Sequence, residues 1–218
     1  MEYVFLDNVS STQDFVKERL RDRFLDSLVM AKTQELGRGR RDRKWCSPAG
    51  GLWFSFDTPY TDELITIAIG VAVREVCSEA YECELLLKWP NDLILDGKKV
   101  GGILCEKVEN RVVIGVGINT NVGSIGVDNS VSFFSRFGKI IDNEALMKKI
   151  VDKFFSLNGE NVIVKFRENM AFIGEEKFVS VLNKSVKIVG ISDEGHLIIE
   201  DCGEVKNVFV GEILIDKS

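Results

Sequence analysis

Hydrophobic positions recur along this chain with two different spacings, and the pattern changes near residue 179. Short apolar or alternating runs predict strands at Tyr3–Leu6, Ser27–Thr33, Leu52–Phe56, Leu85–Leu87, Leu93–Leu95, Lys99–Val108 and Arg111–Ile118. Apolar residues at helical spacing predict helices at residues 12–22, 62–81 and 144–157, with a weaker polar continuation from 166 to about 176. From Val179 onward only short strands separated by glycine-containing turns follow. The pattern predicts an α+β protein with a small all-β unit at its end.

One cationic segment interrupts this pattern. Residues 37–45, here called the basic loop, contain four arginines and a lysine but only one acid, Asp42. Gly37 and Gly39 allow the backbone to approach a ligand closely, and the strand predicted from Leu52 follows a serine-, proline- and glycine-rich turn. A loop of this composition next to a rigid strand is suited to binding an anion.

Composition restricts what that anion can be. The 218-residue chain has a formal net charge of −6, whereas general nucleic-acid binding usually requires a basic surface. We therefore expect a compact anion such as a nucleotide phosphate, and no nucleic-acid partner. Five cysteines without a CxxC pair favour reduced thiols. No signal peptide or membrane-length apolar run is recognisable, so we expect a cytoplasmic protein with no membrane partner.

Four motifs in order along about half the chain resemble the signatures of biotin protein ligases. They are the basic loop, KWPND at Lys88–Asp92, KKVGGIL at Lys98–Leu104 and GVGINTN at Gly115–Asn121. The resemblance implies a class II synthetase-like catalytic domain with a mixed or antiparallel sheet at 1–176, and a shortened SH3-like barrel at 177–218. It also implies ATP-dependent formation of biotinyl-5′-AMP and transfer of the biotinyl group to a lysine of a biotin carboxyl carrier domain. Because the chain begins at the catalytic strand, we expect the form without an N-terminal DNA-binding domain.

The same resemblance implies which residues bind the substrates. For biotin they are Ser11, Thr12, Gln34, Gly37, Arg38, Gly39, Arg40, Trp45, Lys88, Gly101, Gly102, Ile103 and Leu104. For ATP and the adenylate they are Arg40, Arg41, Arg43, Trp45, Lys88, Asn91, Lys99 and Asn119. Arg40, Lys88 and Lys99 are the catalytic candidates, because cations must hold two anions together during the reaction. A lysine that ends an apolar strand is costly to bury unless an anion meets it, which is the physical argument for Lys88.

Several of these residues have a simpler structural interpretation. Ser11 and Thr12 are typical helix N-caps, and Gln34 is placed to end a strand. The glycines at 101 and 102 are equally consistent with a β-bulge, and Trp45 with packing inside its loop. Asp92 suits a turn, a Mg²⁺ ligand or a ribose contact. Gln13 departs from the family, which has asparagine there.

Partners and rival functions complete the expectations. We expect Mg²⁺ with ATP, and a homodimer would form if an exposed strand such as Arg111–Ile118 pairs across a two-fold axis. The nearest rival is a lipoate or octanoate ligase of the same fold, and a remote one is an RNA-binding protein that uses the basic loop. GVGIN lacks the spacing of a dinucleotide-binding motif.

Overall fold

Two β-sheets, five α-helices and a 3₁₀ turn at Arg40–Asp42 make up the regular structure in the part of the chain that the structure describes. The computed structural model describes residues 1–123, 125–157 and 161–215. The first sheet contains β1 (Glu2–Val9), β2 (Ser27–Gln34), β3 (Leu52–Thr58), β4 (Leu86–Lys88), β5 (Asp92–Leu95), β6 (Lys98–Val108) and β7 (Arg111–Ile118). The second contains β8 (Glu176–Val179), β9 (Lys184–Ile191), β10 (Leu197–Asp201), β11 (Glu204–Val208) and β12 (Ile213–Leu214). The helices are α1 (Thr12–Arg21), α2 (Ile65–Tyr81), α3 (Phe133–Phe137), α4 (Asn143–Ser156) and α5 (Val162–Glu168).

The first sheet has the strand order β1-β2-β3-β7-β6-β5-β4. Only the β1–β2 pair is parallel, and α1 makes the connection between these two strands. The remaining neighbours are antiparallel and are largely joined as hairpins. At the β5–β6 turn Asp96 and Gly97 both have positive φ, as the predicted Asp-Gly turn requires.

The two faces of this sheet are covered differently. On one face, α2 and α4 pack over a large core that includes Phe54 and Phe56. On the other face α1 covers only a small cluster built around Val16, Val29 and Val113. Each fully buried side chain of this size contributes about 1.5–3 kcal/mol. Because the cluster beneath α1 is small, part of the sheet on this side is not covered by it and can form a binding cavity.

The second sheet shares the main core. Its order is β11-β10-β9-β8-β12, all antiparallel. Ile188 and Ile199 belong to the same cluster of buried side chains as Phe54 and Phe56. The last three residues of the domain predicted at 177–218 lie outside the described residues. None of the helices in the described ranges is long and apolar enough to cross a membrane.

Two sequence expectations about elements are wrong. The predicted helical continuation from 166 to 176 ends at Glu168, and the chain turns through Phe172 and Gly174, both at positive φ, into β8. The strand Arg111–Ile118 is not an edge available for dimer formation, because β7 lies between β3 and β6. In the first case, the polar composition of the segment did not indicate that a strand, β8, begins at its end. In the second, strand order depends on pairing between distant segments, which hydrophobic spacing does not indicate.

Candidate active site

A cavity of about 290 Å³ lies between the first sheet, the start of α1 and the basic loop. Two rows of paired residues cross the sheet beneath it, and paired residues on antiparallel strands point to the same face. The first row runs through Trp53, Gly117, Gly102, Asp92 and Lys88. The second runs through Ser55, Gly115 and Leu104. Three glycines and a serine thus leave the floor of the cavity almost without side chains.

Two side chains from other elements lie directly on this floor. A Cβ atom at Gly117 would be 2.6 Å from Trp45 Nε1, and one at Gly102 would be 3.4 Å from Trp45 Cζ3. A Cβ atom at Gly115 would be 2.5 Å from Gln13 Oε1. The indole of Trp45 thus packs on the sheet and not within its own loop. These glycines are needed for the close approach of Trp45 and Gln13.

One end of the cavity is lined by uncharged hydrogen-bonding groups. The backbone N–H of Thr12 donates to Gln34 Oε1 at 2.8 Å, and the Gln34 amide donates to Ser47 Oγ at 2.7 Å. The hydroxyls of Thr12 and Ser55 are 2.8 Å apart. Ser11 caps α1 through the N–H of Asp14 and also lines the cavity, so the structural and the ligand-binding interpretations are compatible. This end is suited to a polar, uncharged ligand group.

The opposite end is cationic, and a β-bulge determines its geometry. Gly101 pairs with Leu93 and Lys99 pairs with Ile94, which leaves Val100 as the extra residue. The bulge offered as an alternative for the two glycines is therefore present, one position earlier. An extra residue reverses the side on which the preceding side chain points, and Lys99 Nζ lies 3.5 Å from the Cβ position of Gly102. The bulge thus turns Lys99 into the cavity.

Lys88 is not where the sequence argument expected it. It does not line the cavity; it is 5% exposed and follows Asp92 in the same cross-strand row, on the edge strand. Its Nζ lies 2.7 Å from Asp92 Oδ2 and donates to the carbonyl of Ile213 at 2.7 Å. The anion that compensates its burial is a carboxylate of the protein. Asp92 stands between Lys88 and the cavity.

Asp92 is the centre of this charge arrangement. Its Oδ1 is 2.6 Å from Lys99 Nζ, while Oδ2 contacts Lys88. Burial raises the pKa of the Asp92 carboxyl, but the two ammonium groups outweigh burial and the net pKa is lowered. Asp92 is thus ionised and both of its oxygens are engaged. It fixes the ammonium group of Lys99 at the cavity wall.

The expected role of Asp92 as a magnesium ligand is not supported by this geometry. Each Asp92 oxygen already contacts an ammonium group, so a cation there would compete with Lys88 and Lys99. In the described ranges, no group of three or more histidine, cysteine or acidic side chains could hold a metal ion. A contact between Asp92 and Mg²⁺ stays a prediction from the sequence.

The basic loop is attached to both sheets. Arg40 donates to Asn91 Oδ1 at 3.1 Å and to the carbonyl of Gly211 at 3.3 Å. Burial lowers the pKa of the Arg40 guanidinium. Arg43 pairs with Glu212, which also lines the cavity. The loop is thus held closed by the segment between β11 and β12.

Most of the residues expected from the sequence converge on this cavity. Those that line it are Ser11, Thr12, Gln34, Arg38, Gly39, Arg40, Arg43, Trp45, Asn91, Lys99, Gly102, Ile103, Leu104 and Asn119. Besides Lys88, three do not. Gly37 is buried at the loop base, where a Cβ atom would be 2.4 Å from the carbonyl of Trp45. Arg41 is exposed at a positive-φ turn, and Gly101 faces Leu93.

Sequence reasoning also missed part of the lining. Gln13, Ser55, Gly115, Gly117 and Glu212 all face the cavity. The alternation of glycines at 115 and 117 was a usable signal, because residues two apart share a face of a strand. Glu212 gave no local signal, since it comes from the second sheet.

Comparison with known proteins identifies the family. The model of the biotin/lipoate A/B protein ligase family matches residues 5–122. That match spans more than half of the chain and includes the loop, the KWPND motif and both glycine-rich strands. The chain belongs to this family.

Individual members of the biotin/lipoate A/B family resemble the chain over most of its length. The bifunctional ligase/repressor BirA of Bacillus subtilis is 32% identical over 237 residues, covering 96% of this chain and 73% of that protein. A biotin–[acetyl-CoA-carboxylase] ligase of Mycobacterium tuberculosis is 26% identical over 212 residues, 87% and 79% of the two chains. The structure of the Aquifex aeolicus biotin protein ligase with biotin and ATP superposes with a TM-score of 0.87 at 29% identity, covering 98% and 97%. The expected fold class and the expectation of a biotin-activating ligase are confirmed.

Proposed function

We propose that this chain joins biotin to AMP in the cavity described above and passes the biotinyl group to a lysine of a biotin carboxyl carrier domain. The observation that supports this most directly is the sequence of environments along the cavity. A polar uncharged end, a glycine-floored apolar middle and a cationic end follow one another. Biotin has a cyclic urea, an apolar ring and tail, and a carboxylate in the same order.

The polar end would hold the cyclic urea. Thr12, Gln34 and Ser55 already form a connected set of hydrogen bonds there. Such a set presents donors and acceptors in fixed directions, which lowers the entropy cost of binding. The apolar middle, beneath Trp45, would accept the ring and tail.

The cationic end would bring two anions together. The biotin carboxylate attacks the α-phosphorus of ATP, the bond to pyrophosphate breaks, and pyrophosphate leaves with the electron pair. Lys99 and Arg40 would reduce the repulsion between carboxylate and phosphate, and fixed charges act without reorganisation. Asn119 is 3% exposed, and its Oδ1 has no partner among the described residues, so it is available to the nucleotide.

In the second step the amine of the carrier lysine attacks the anhydride carbonyl, AMP leaves, and the amine proton is lost to solvent. The anhydride is itself the activated species, so an enzyme nucleophile is not needed. The closed basic loop would keep water from the anhydride. Mg²⁺, a cytoplasmic location and a homodimer stay predictions from the sequence.

The test is to incubate the protein with biotin, ATP, Mg²⁺ and a carrier domain and to measure the carrier mass. We expect the mass of one biotinyl group to be added. Replacing biotin with lipoate separates the rival ligase: a lipoyl adduct with no biotinyl adduct would overturn the proposal.

A pair of adjacent lysines provides a matched control for the site. Lys99→Met should slow adenylate formation roughly 10²- to 10³-fold, the usual cost of one preorganised charge-stabilising donor. Lys98 is exposed and does not line the cavity, so Lys98→Met should stay within about twofold. Equal effects of the two substitutions, measured by pyrophosphate release, would contradict the assignment of Lys99.

A further inference from the structure

Gln13 connects the cavity to a group of charged side chains outside it. The side chain is 3% exposed, and Nε2 donates to Glu106 Oε2 at 3.0 Å and to the carbonyl of Val113 at 3.1 Å. These two acceptors fix the orientation of the amide, so Oε1 points over Gly115 on the cavity floor. Among the described residues, Oε1 has no hydrogen-bond partner. A buried carbonyl without a donor is costly and marks a place where a ligand N–H fits.

The group outside the cavity holds the basic loop. Arg38 Nη1 lies 2.5 Å from Asp14 Oδ1, and Arg38 Nη2 lies 3.4 Å from Glu106 Oε1. We call Asp14 and Glu106 the acidic clamp. Lys17 Nζ is 2.6 Å from the other oxygen of Glu106. Arg38 was expected to bind biotin, yet its guanidinium is occupied by protein carboxylates.

Glu106 is ionised in this arrangement. Burial raises the pKa of its carboxyl, but the hydrogen bonds from Lys17 and Gln13 outweigh burial and the net pKa is lowered. One carboxylate therefore contacts both the amide that faces the cavity and the first arginine of the loop.

We propose that Gln13 is a positioning residue that couples a ligand N–H in the polar end of the cavity to closure of the basic loop through the acidic clamp. The inference rests on the proposed function, with the urea N–H of biotin as the donor. A hydrogen bond accepted by the amide oxygen polarises the amide and strengthens the bond that its N–H makes to Glu106. A better-held Glu106 keeps Arg38, and with it the loop, in place. By linkage, the closed loop then retains the ligand.

A double-mutant cycle on biotin affinity tests the coupling. Gln13→Met keeps the length of the side chain and removes its hydrogen bonds, and Glu106→Gln removes the charge. We expect each to weaken biotin binding about five- to thirtyfold, the range for a hydrogen bond involving a polar or charged partner. The double variant should bind biotin at most about twofold more weakly than the single variant with the lower affinity, because both changes break the same connection between Gln13 and Glu106.

Limited digestion with trypsin reads the loop itself. The loop offers five lysine or arginine sites, and saturating biotin should slow cleavage there in the unmodified protein. In Gln13→Met and Glu106→Gln, saturating biotin should give at most about a third of that protection. A residue that only contacted the ligand would give full protection once the cavity is filled.

Glu75 is a matched control. Its side chain is 25% exposed against 26% for Glu106, and it is held by two cations, Lys153 and Lys165, as Glu106 is held by Lys17 and Arg38. Glu75→Gln should leave affinity and protection within about twofold. If Gln13→Met does not fold, Gln13→Asn, which keeps the amide but is too short to span both contacts, replaces it in the cycle.

The outcomes separate the two claims. Failure of the unmodified protein to bind biotin refutes the proposed function. If biotin binds but the losses in the double variant multiply, or if protection at saturation is unchanged, only the coupling is overturned.

Discussion

Replacing Asp92 with alanine should destabilise the whole protein, because Asp92 compensates a buried positive charge. Asp92 is 8% exposed and Lys88 5% exposed, and their charged atoms are 2.7 Å apart. Without the carboxylate, the carbonyl of Ile213 is the one partner that the ammonium of Lys88 keeps among the described residues. Breaking a buried ion pair from one side costs about 3–5 kcal/mol. That corresponds to a loss of roughly a hundredfold to several thousandfold in the folding equilibrium constant.

Urea denaturation followed by circular dichroism measures this loss directly. The control is Glu144→Ala, which removes an exposed pair with Lys148 and should cost less than about 1 kcal/mol. Adding Lys88→Met to Asp92→Ala removes the uncompensated charge and should recover at least about 2 kcal/mol, since apolar replacements of buried pairs are often tolerated. A loss below about 1 kcal/mol in the single variant, or a double variant less stable than it, would refute this reasoning.

Asp92, Gly117 and Tyr81 each allow one further test. Because the folded-state pKa of Asp92 is lowered, its contribution to the free energy of unfolding should be complete above about pH 4 and decline as the pH falls through that lowered value. In an acid titration of stability, Asp92→Ala should lack this decline. Gly117→Ala places a methyl group against Trp45 and should raise the KM for biotin about tenfold or more. Gly190 has open space around it, so Gly190→Ala should leave the KM for biotin unchanged. Equal KM values for the two variants would contradict the floor geometry. Tyr81→Phe should leave the free energy of unfolding unchanged or raise it by up to about 2 kcal/mol in urea titrations, since the buried hydroxyl has no partner among the described residues. A loss above about 1 kcal/mol would show that the hydroxyl makes a stabilising hydrogen bond.

The sequence predicted the elements of the first sheet closely because burial of its strands produces short apolar or alternating runs. The strands Lys99–Val108 and Arg111–Ile118 agree with β6 and β7 to within one residue. Most of the binding residues that it selected also line the cavity, and all of these except Ser11, Thr12 and Gln34 lie on the four matched motifs. The position of Lys88 could not be predicted. A strand-end lysine faces whatever lies beside it in space, and that neighbour, Ile213, is 125 positions away in the chain.

The bulge at Val100 illustrates a second limit. Strict alternation would direct Lys99 toward the core, together with Gly101 and Ile103. The extra residue reverses this, and its presence depends on how β5 and β6 pair. Similarly, Gln13 was seen only as a departure from asparagine. Its hydrogen bond to Glu106 depends on the fold, because the two residues are 93 positions apart in the chain.

The short connection from Gly211 to Ile213 has a practical meaning for engineering. Arg40, Arg43 and Lys88 each contact one of its three residues. The small sheet is therefore not an interchangeable module. A chimaera that imports this sheet from another ligase must also import residues that match these three cations, or the donor and recipient halves will fit poorly at the nucleotide end.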